Sequence, residues 1–342
     1  MEQNEKELLE MEGVTMFQPK YSIILANVGM CADRYMSGGY SDPCTIDEMF
    51  RRVASVDGVS GVELVSDWNI TAKNVDQVRR NLEEYGLKLV SIIPDHFGEM
   101  KWGKGAFTSK DPAIRKQAVE DTKELMDISA ELGGNLISLW PGQDGYDYYF
   151  QGDYIREHEW FAEGVQECCD YRKDVNISIE YKIKEPRNFS YPSTMAVILL
   201  MLEKLGRENS GVTIDYGHAH VAGENVAESV ALAKEYGNRL LHVHMNDNYG
   251  FWDDDMIAGS IHTIPFIEFF YWLKRTGYDG YISTDQYPYR EDGRDAVNET
   301  VRWMDIFAGL ANRIDEKELE EIYATGNACE VSAMLRDLMF GK

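Results

Sequence analysis

The chain has 342 residues, which exceeds one average domain but suits a single large α/β barrel. Acidic residues outnumber basic ones by 59 to 34, and the net charge of −25 argues against a nucleic-acid partner and against an anionic membrane surface. The charged N-terminus is unlike a signal peptide, and no run is long and apolar enough to span a bilayer. The five cysteines form no repeated C-x-x-C pattern, so we expect free thiols and a cytoplasmic protein.

One pattern recurs along the chain, in which a helical segment ends near a glycine and an apolar, β-branched run follows. The four clearest joins read E-E-Y-G-L-K-L-V, A-E-L-G-G-N-L-I, K-E-Y-G-N-R-L-L and K-R-T-G-Y-D-G-Y. A glycine after the last helical turn is typical of a helix end that releases the chain into a strand. Eight strands are predicted in this way, over residues 21–27, 61–65, 87–94, 135–141, 177–182, 211–215, 240–246 and 280–286.

Eight strands that are each followed by a helical segment predict a (β/α)8 barrel, the α/β fold known as the TIM barrel. A doubly wound open sheet is the alternative, but its G-x-G-x-x-G fingerprint after the first strand is missing. We predict a polar N-terminal arm over residues 1–18, a barrel domain over 19–312 and a C-terminal helical tail over 313–342. The tail carries an apolar stripe that could pack on the barrel wall or on a second subunit. We expect the second arrangement, in a homo-oligomer (a dimer or tetramer).

Polar side chains concentrate at the carboxyl ends of the predicted strands, where the active site of a TIM barrel lies. Each of them alone has an ordinary explanation, because a strand-end Asp commonly caps a helix and a His is commonly a hydrogen-bonded core residue. They are Asp95 and His96 after the third strand, Trp140 at the fourth, Glu180 and Lys182 on one face of the fifth, Asp215 and His218 at the sixth, His242, His244 and Asn246 on the seventh, Asp253 and Asp255 in the next loop, and Asp285 at the eighth.

Four of these groups lie on consecutive strands and would point into one space. Their carboxylates would repel one another, and a divalent cation removes that repulsion. Carboxylate oxygens with one imidazole favour Mn²⁺, with Mg²⁺, Co²⁺ or Zn²⁺ as alternatives. The first expected group is Glu180, Asp215, His244 and Asp285. A second group could hold another ion, with Asp215 bridging the two: Asp215, His218, Asp253 and Asp255.

Taken in order, these motifs resemble those of xylose isomerase and the wider xylose-isomerase-like sugar isomerases, which include L-rhamnose isomerase. The segment I-E-Y-K-I-K-E-P-R resembles the family's E-P-K-P-N-E-P-R, and D-Y-G-H-A-H-V-A-G is similar to its E-x-G-H-x-x-x-A-G. H-V-H-M-N followed by W-D-D-D-M resembles H-x-D-x-N followed by a D-x-D loop, and L-W-P-G-Q-D-G is similar to W-G-G-R-E-G. The resemblance covers about residues 85–310 and implies that the two groups above hold one metal ion each.

Two departures from the xylose isomerase pattern stand out. His244 replaces an aspartate, as in the rhamnose isomerase branch, and a nitrogen ligand shifts the preference towards Mn²⁺, Co²⁺ or Zn²⁺. The second strand lacks the His-Asp pair that assists opening of the sugar ring, and His96 is a candidate replacement that would contact the substrate, although a structural role is equally open. We therefore expect a sugar other than xylose.

The sequence predicts an aldose–ketose isomerase that shifts a hydride between C1 and C2 of a non-phosphorylated sugar with the help of divalent metal. Lys182 would donate to the C1 oxygen, His218 would contact the sugar, and Asp253 would take part in catalysis. Trp140 would form an apolar wall that excludes water. Acidic residues in the last two loops would repel a phosphate.

Other functions stay open on the same residues. A single-metal sugar epimerase or dehydratase would transfer protons between two carboxylates and leave Asp253 and Asp255 idle. An endonuclease of a related barrel family is opposed by the net charge. The chain could also be a non-catalytic sugar-binding subunit, or one half of a hetero-complex.

Overall fold

The computed structural model describes residues 16–32, 35–287 and 289–341, and these form a closed barrel of eight parallel strands. Each strand pairs with the next along the chain, and the last closes on the first with Tyr21 opposite Ile282. The predicted TIM barrel is therefore confirmed, while the first fifteen residues of the predicted arm lie outside the described residues. The strands are β1 Lys20–Ile24, β2 Val59–Val65, β3 Lys88–Ile93, β4 Leu136–Leu139, β5 Asn176–Glu180, β6 Ser210–Asp215, β7 Leu240–Met245 and β8 Tyr281–Thr284.

The helices cover the outside of the barrel, and none of those in the described ranges is long and apolar enough to cross a membrane. The glycines at the four joins, Gly86, Gly133, Gly237 and Gly277, all have positive φ, which a glycine adopts without steric cost. The helices are α1 Ile46–Ala54, α2 Val75–Tyr85, α3 Pro112–Glu131, α4 Tyr154–Tyr171, α5 Met195–Leu205, α6 Tyr216–Val221, α7 Val226–Glu235, α8 Thr263–Thr276, α9 Gly293–Arg313, α10 Glu316–Thr325 and α11 Ala328–Phe340.

Side chains alternate along each strand between the helices and the barrel interior. Most helix-facing positions are apolar, and Ile23, Val62 and Ile137 among them are fully buried. The lower level of the interior carries one polar side chain per strand. These side chains form a ring in which members on adjacent strands contact one another, as when the Thr213 hydroxyl donates to Ser178 Oγ at 2.7 Å. The lower ring consists of Ser22, Glu63, Ser91, Ser138, Ser178, Thr213, His242 and Ser283.

The C-terminal tail packs on the barrel wall. Leu319 and Ile322 of α10 are buried, and the Tyr271 hydroxyl of α8 donates to Glu316 at 2.7 Å. Gly326 takes a left-handed conformation and divides the tail into two helices. The apolar stripe is thus partly used within the chain, and a homo-oligomer stays a prediction.

A short antiparallel ribbon links the loops after β4 and β5. It pairs Gly145–Tyr146 with Phe189–Ser190. The Arg187 guanidinium also bonds Asp147 across these loops at 2.8 Å. The ribbon thereby ties down the loop that carries Lys182 at the end of β5.

Candidate active site

An upper ring of side chains lies two residues beyond the lower ring on each strand. Because side chains alternate, these positions also face the interior, at or just past the carboxyl ends of the strands. A cavity of about 720 Å³ opens above them. The ring is apolar on the first four strands, with Ile24, Val65, Ile93 and Trp140, and carries ligand-type groups on the last four, with Glu180, Asp215, His244 and Asp285.

The four ligand-type groups converge as expected. Each of Glu180, Asp215, His244 and Asp285 offers one donor atom, and these atoms all lie within 4.8 Å of one another. His244 Nδ1 lies 3.1 Å from Glu180 Oε2 and 3.3 Å from Asp285 Oδ2. This nitrogen is buried and has no hydrogen-bond partner among the described residues. A buried imidazole nitrogen facing carboxylate oxygens suits a divalent cation with nitrogen and oxygen ligands.

A second set of donor atoms adjoins the first and shares Asp215. His218 Nε2 lies 2.9 Å from Asp253 Oδ2, and Asp215, His218 and Asp253 again offer atoms within 4.8 Å of one another. His218 Nδ1 and Asp253 Oδ1 are buried without hydrogen-bond partners in the described part of the chain. Asp255, the predicted fourth member, lines the same cavity but lies outside this group of atoms.

Charge in this site is unbalanced. Burial and the nearby Asp253 and Glu180 carboxylates outweigh the attraction of His218 and raise the pKa of Asp215 to about 7. Burial and the charges of Asp253 and Asp285 likewise raise the pKa of Asp255 well above its usual value. A bound cation relieves the repulsion between buried carboxylates, so the donor set fits a divalent metal.

Asp215 is both a helix cap and a member of the two donor groups. Its Oδ1 accepts from the His218 backbone N–H at 2.8 Å and so caps α6, while its Oδ2 accepts from Asn246 Nδ2 at 2.9 Å. Position 217 requires a glycine, because a Cβ there would come within 2.0 Å of Asn246 Oδ1. The D-Y-G-H segment therefore fixes both Asp215 and His218 against β7.

Lys182 lies two residues beyond β5, which ends at Glu180, so the strand is shorter than the predicted 177–182, although both side chains face the same cavity. Its ammonium nevertheless enters the cavity, 2.8 Å from Asp253 Oδ2 and 3.7 Å from Glu185 Oε2. Burial would lower the pKa of Lys182, but Asp253 and Asp255 outweigh it and raise that pKa, so the side chain is a firmly charged donor. It also lies 5.3 Å from the ring centroid of Trp140.

Trp140 belongs to a row of three aromatic rings along the cavity. Its ring centroid is 4.6 Å from that of Phe97, which is 5.9 Å from that of Trp68. All three rings line the cavity. The apolar wall is thus longer than Trp140 alone, and no sequence pattern indicated that Trp68 and Phe97 extend it.

His96 is not in the position predicted for a ring-opening residue. It is 2% exposed, does not line the cavity, and packs between Trp102 and Phe107 at centroid distances of 4.8 and 5.7 Å. Burial, with a smaller effect of Lys101, lowers the pKa of His96 to about 3. The prediction that His96 contacts the substrate is therefore wrong, and the residue is a neutral part of the core.

Glu63 is a residue of the site that sequence reasoning missed. This fully buried acid on β2 lies 2.8 Å from His242 Nε2 and 3.4 Å from His244 Nε2, and it accepts a short hydrogen bond from Ser91. Burial opposes its charge, but the two histidines hold its pKa well below the usual value. A lone acid within the apolar strand V-S-G-V-E-L-V was the available signal, because an acid is rarely buried without a partner.

Relatives in sequence are sugar isomerases. The xylose isomerase from Thermus thermophilus is 29% identical over 229 residues, which cover 65% of this chain and 59% of that protein. The xylose isomerase from Dinoroseobacter shibae is 29% identical over 278 residues, covering 76% of this chain and 64% of that protein. The chain therefore spans less than two thirds of the length of these relatives.

Several solved structures with the same fold are named as sugar epimerases. A D-tagatose 3-epimerase-like protein superposes with a TM-score of 0.67 at 20% identity, covering 85% of this chain and 98% of the other. A 3-keto-D-glucoside 4-epimerase from E. coli superposes with a TM-score of 0.66 at 16% identity, covering 84% and 99%. The family model described as the xylose isomerase-like TIM barrel matches residues 50–307. The chain belongs to the xylose isomerase-like TIM-barrel family.

Proposed function

We propose that this protein is a divalent-metal-dependent aldose–ketose isomerase that moves a hydride between C1 and C2 of a non-phosphorylated sugar. One observation carries the proposal: two groups of buried donor atoms meet at Asp215 beneath a single cavity. Adjacent cation sites that share a carboxylate suit a substrate with neighbouring oxygens, such as the carbonyl and hydroxyl of an open-chain sugar. The relatives named xylose isomerase support the same reaction class.

The residues present fit one ion on each group of donors. The first would be held by Glu180, Asp215, His244 and Asp285, and the second by Asp215, His218 and Asp253, with Asp255 close by. Such ions, preferably Mn²⁺, supply Lewis acidity towards sugar oxygens when bound.

Lys182 is the residue best placed to act on the substrate directly. Its charged ammonium would donate a hydrogen bond to the C1 oxygen, where negative charge develops as the hydride moves. Asp253 and Glu185 hold the ammonium in the cavity at 2.8 and 3.7 Å. Trp140 covers the adjacent space and would exclude water from the migrating hydrogen.

The absence of a phosphate on the substrate is supported by the charges at the cavity. Lys182 is the single Lys or Arg among the described residues that line it, and that charge is already paired with Asp253. A phosphate would meet Glu180, Asp253, Asp255 and Asp285 instead. Repulsion by these acids disfavours a phosphorylated sugar.

A single-metal epimerase is the second candidate. Glu180 and Asp285 both belong to the first donor group, so two carboxylates are available for proton transfer to and from a sugar carbon. The fold neighbours include proteins named as ketose 3-epimerases. This reaction would not require Asp253.

Isotope transfer distinguishes the two candidates. The protein is stripped with a chelator, reloaded with Mn²⁺, Mg²⁺ or Co²⁺, and given a panel of aldoses labelled with deuterium at C2. We expect activity to depend on added metal and the label to appear at C1 of the ketose. Loss of the C2 label to solvent would identify isomerisation by proton transfer instead of hydride shift. Inversion at C3 of unlabelled ketoses assayed in parallel would identify the epimerase.

A neighbouring pair of aspartates supplies the matched variants. Asp253→Asn should lower both the number of Mn²⁺ ions bound and the turnover, because it weakens the second donor group. Asp254→Asn is the control, since Asp254 is the next residue of the same loop and does not line the cavity. Unchanged ion stoichiometry and full turnover in the Asp253 variant would rule out the two-ion isomerase.

A further inference from the structure

The floor of the cavity is divided into two chemically different halves. On β5–β8 the upper ring presents the candidate ion ligands, whereas on β1–β4 it presents Ile24, Val65, Ile93 and Trp140. The first three of these pack together as a separate apolar cluster with Ala26 and Phe97 against it. One side of the cavity therefore offers charge and the other offers hydrocarbon.

The apolar half continues up the cavity wall. Two methionines, two cysteines and a proline line it: Met30, Cys31, Pro43, Cys44 and Met49. The aromatic rings of Trp68 and Phe97 line it as well and connect it to Trp140 beside Lys182. Methionine is flexible and polarisable, so such a wall adapts to a bulky or aromatic group.

Polar atoms in this half are largely used within the protein. The indole N–H of Trp68 donates to Asp95 Oδ2 at 2.8 Å, and Asn69 Oδ1 accepts from the Val65 backbone N–H at 3.1 Å. The Cys31 thiol points to the Asn27 carbonyl oxygen at 3.5 Å. Sugar hydroxyls placed here would give up water and find few partners among the described lining residues, which is unfavourable.

The cavity is also larger than a free sugar requires. Its volume of about 720 Å³ falls within the range of roughly 300–1,000 Å³ found for sites that enclose drug-sized ligands. A monosaccharide at the ion groups would leave the apolar half filled with water against hydrocarbon. A ligand with an apolar extension would fill both halves.

We propose that the substrate is an aldose whose end remote from the carbonyl carries an apolar group, best an aromatic one. This inference rests on the proposed function, because isomerisation places C1 and C2 at Lys182 and the ion groups. The remote end of the open chain then extends towards β1–β4. Its hydrophobic substituent lies along Trp68 and Phe97 and contacts Met30 and Met49.

Binding of alditols tests the inference separately from turnover, because an alditol has no carbonyl to isomerise. Several hexitols and their 6-O-benzyl ethers are titrated into the Mn²⁺-loaded protein, and each pair is compared. We expect the benzyl ether of the preferred hexitol to bind at least tenfold more tightly than its parent. Equal or weaker binding of every benzyl ether would overturn the inference, whatever sugar is turned over.

Variants of the apolar half locate the effect. Met30→Gln, at a partly exposed position on the rim, should reduce the benzyl preference about fivefold, and Ile93→Thr should reduce it further by placing a hydroxyl on the floor. Met100→Gln is the matched control because Met100 is 97% exposed and away from the cavity. An unchanged preference in both cavity variants would overturn the assignment of this half.

The isomerase assay judges the proposed function independently. Aldoses with and without a 6-O-benzyl group are assayed for hydride shift on the same preparation. Selective binding of benzyl hexitols without hydride shift in any aldose would reject the isomerase and keep the apolar subsite. Hydride shift in free aldoses without any preference for benzyl ethers would keep the isomerase and reject the apolar subsite.

Discussion

The two ring nitrogens of His244 face different neighbours. Nδ1 faces the carboxylates of Glu180 and Asp285, and Nε2 faces Glu63 from the other side. A carboxylate behind an imidazole fixes the tautomer, because Nε2 keeps its proton and Nδ1 keeps its lone pair for a cation. Glu63 is thus a positioning residue for the first donor group.

Replacing Glu63 should weaken metal binding without touching a ligand. In Glu63→Gln the amide no longer enforces the tautomer of His244, and we expect Mn²⁺ affinity to fall by roughly 10- to 100-fold. Calorimetric titration of the chelator-treated protein measures the change. Glu83→Gln, at an exposed glutamate, should bind as the wild type does. If Glu63→Gln binds Mn²⁺ with wild-type affinity, Glu63 is only a hydrogen-bond acceptor in the core and does not position His244.

Lys182 should be separable from metal binding, because its proposed partner is the sugar oxygen. Lys182→Met is expected to keep the Mn²⁺ stoichiometry and lower kcat by roughly 100- to 1,000-fold, the usual effect of removing one donor from a developing negative charge. Lys184→Met tests a lysine in the same loop whose ammonium instead bonds the Phe251 carbonyl oxygen. Loss of metal in the Lys182 variant would contradict the role assigned to its ammonium.

At the scale of elements, alternation along the strands accounts for most of what could be predicted. Strand-end acids and histidines could be identified from sequence because they interrupt apolar runs at regular intervals. The predicted first strand, in contrast, extended to residue 27, whereas residues Leu25–Val28 form a turn of 3-10 helix. Apolar residues that continue past a strand end carry no local signal for that change.

Side chains in loops were harder to place than those on strands. Lys182 and Asp255 lie in connections whose path is set by tertiary contacts, such as the ribbon at Phe189–Ser190. His96 was assigned a role from its strand-end position, although its ring turns towards Trp102 and Phe107 rather than the cavity. The role of Glu63 could not be predicted from local sequence, because its partners His242 and His244 are distant in sequence.

The tail helices should contribute to the stability of the barrel on which they pack. Leu319 is 7% exposed and belongs to the main core, whereas Val331 on α11 is 37% exposed. Leu319→Ala is expected to lower the free energy of unfolding by about 2–5 kcal/mol, and Val331→Ala to change it by less than about 0.5 kcal/mol. Denaturant unfolding measures both. An unchanged free energy of unfolding in Leu319→Ala would mean that the packing of α10 on the barrel does not stabilise the single chain.

Across the whole molecule, acids dominate the charge, and the site concentrates several of them on one half of one cavity. The lower ring consists of small hydroxyl side chains together with Glu63 and His242, whereas the upper ring holds ligands on β5–β8 and hydrocarbon on β1–β4. The division follows from one strand alternation repeated eight times. Site chemistry thus depends on which strand supplies each upper position, not on any single motif.

Acid pH should destabilise the fold because protonation of the buried His96 is unfavourable in the folded state. Its folded pKa of about 3 lies below the ordinary value of 6.5, so the unfolded chain binds the proton more readily. Stability is therefore complete above pH 6.5 and is lost as the pH falls towards 3. Between pH 6.5 and pH 5 this one group should cost about 2 kcal/mol of unfolding free energy.

His96→Phe isolates that contribution, because a phenyl ring can stack on Trp102 and Phe107 without titrating. In chelator-treated protein, the loss of unfolding free energy between pH 7 and pH 5 should be smaller by about 2 kcal/mol in the variant than in the wild type. His158→Gln, at a half-buried histidine, should relieve the loss by less. If wild type and His96→Phe lose the same free energy, the protonated imidazole is accommodated inside the fold.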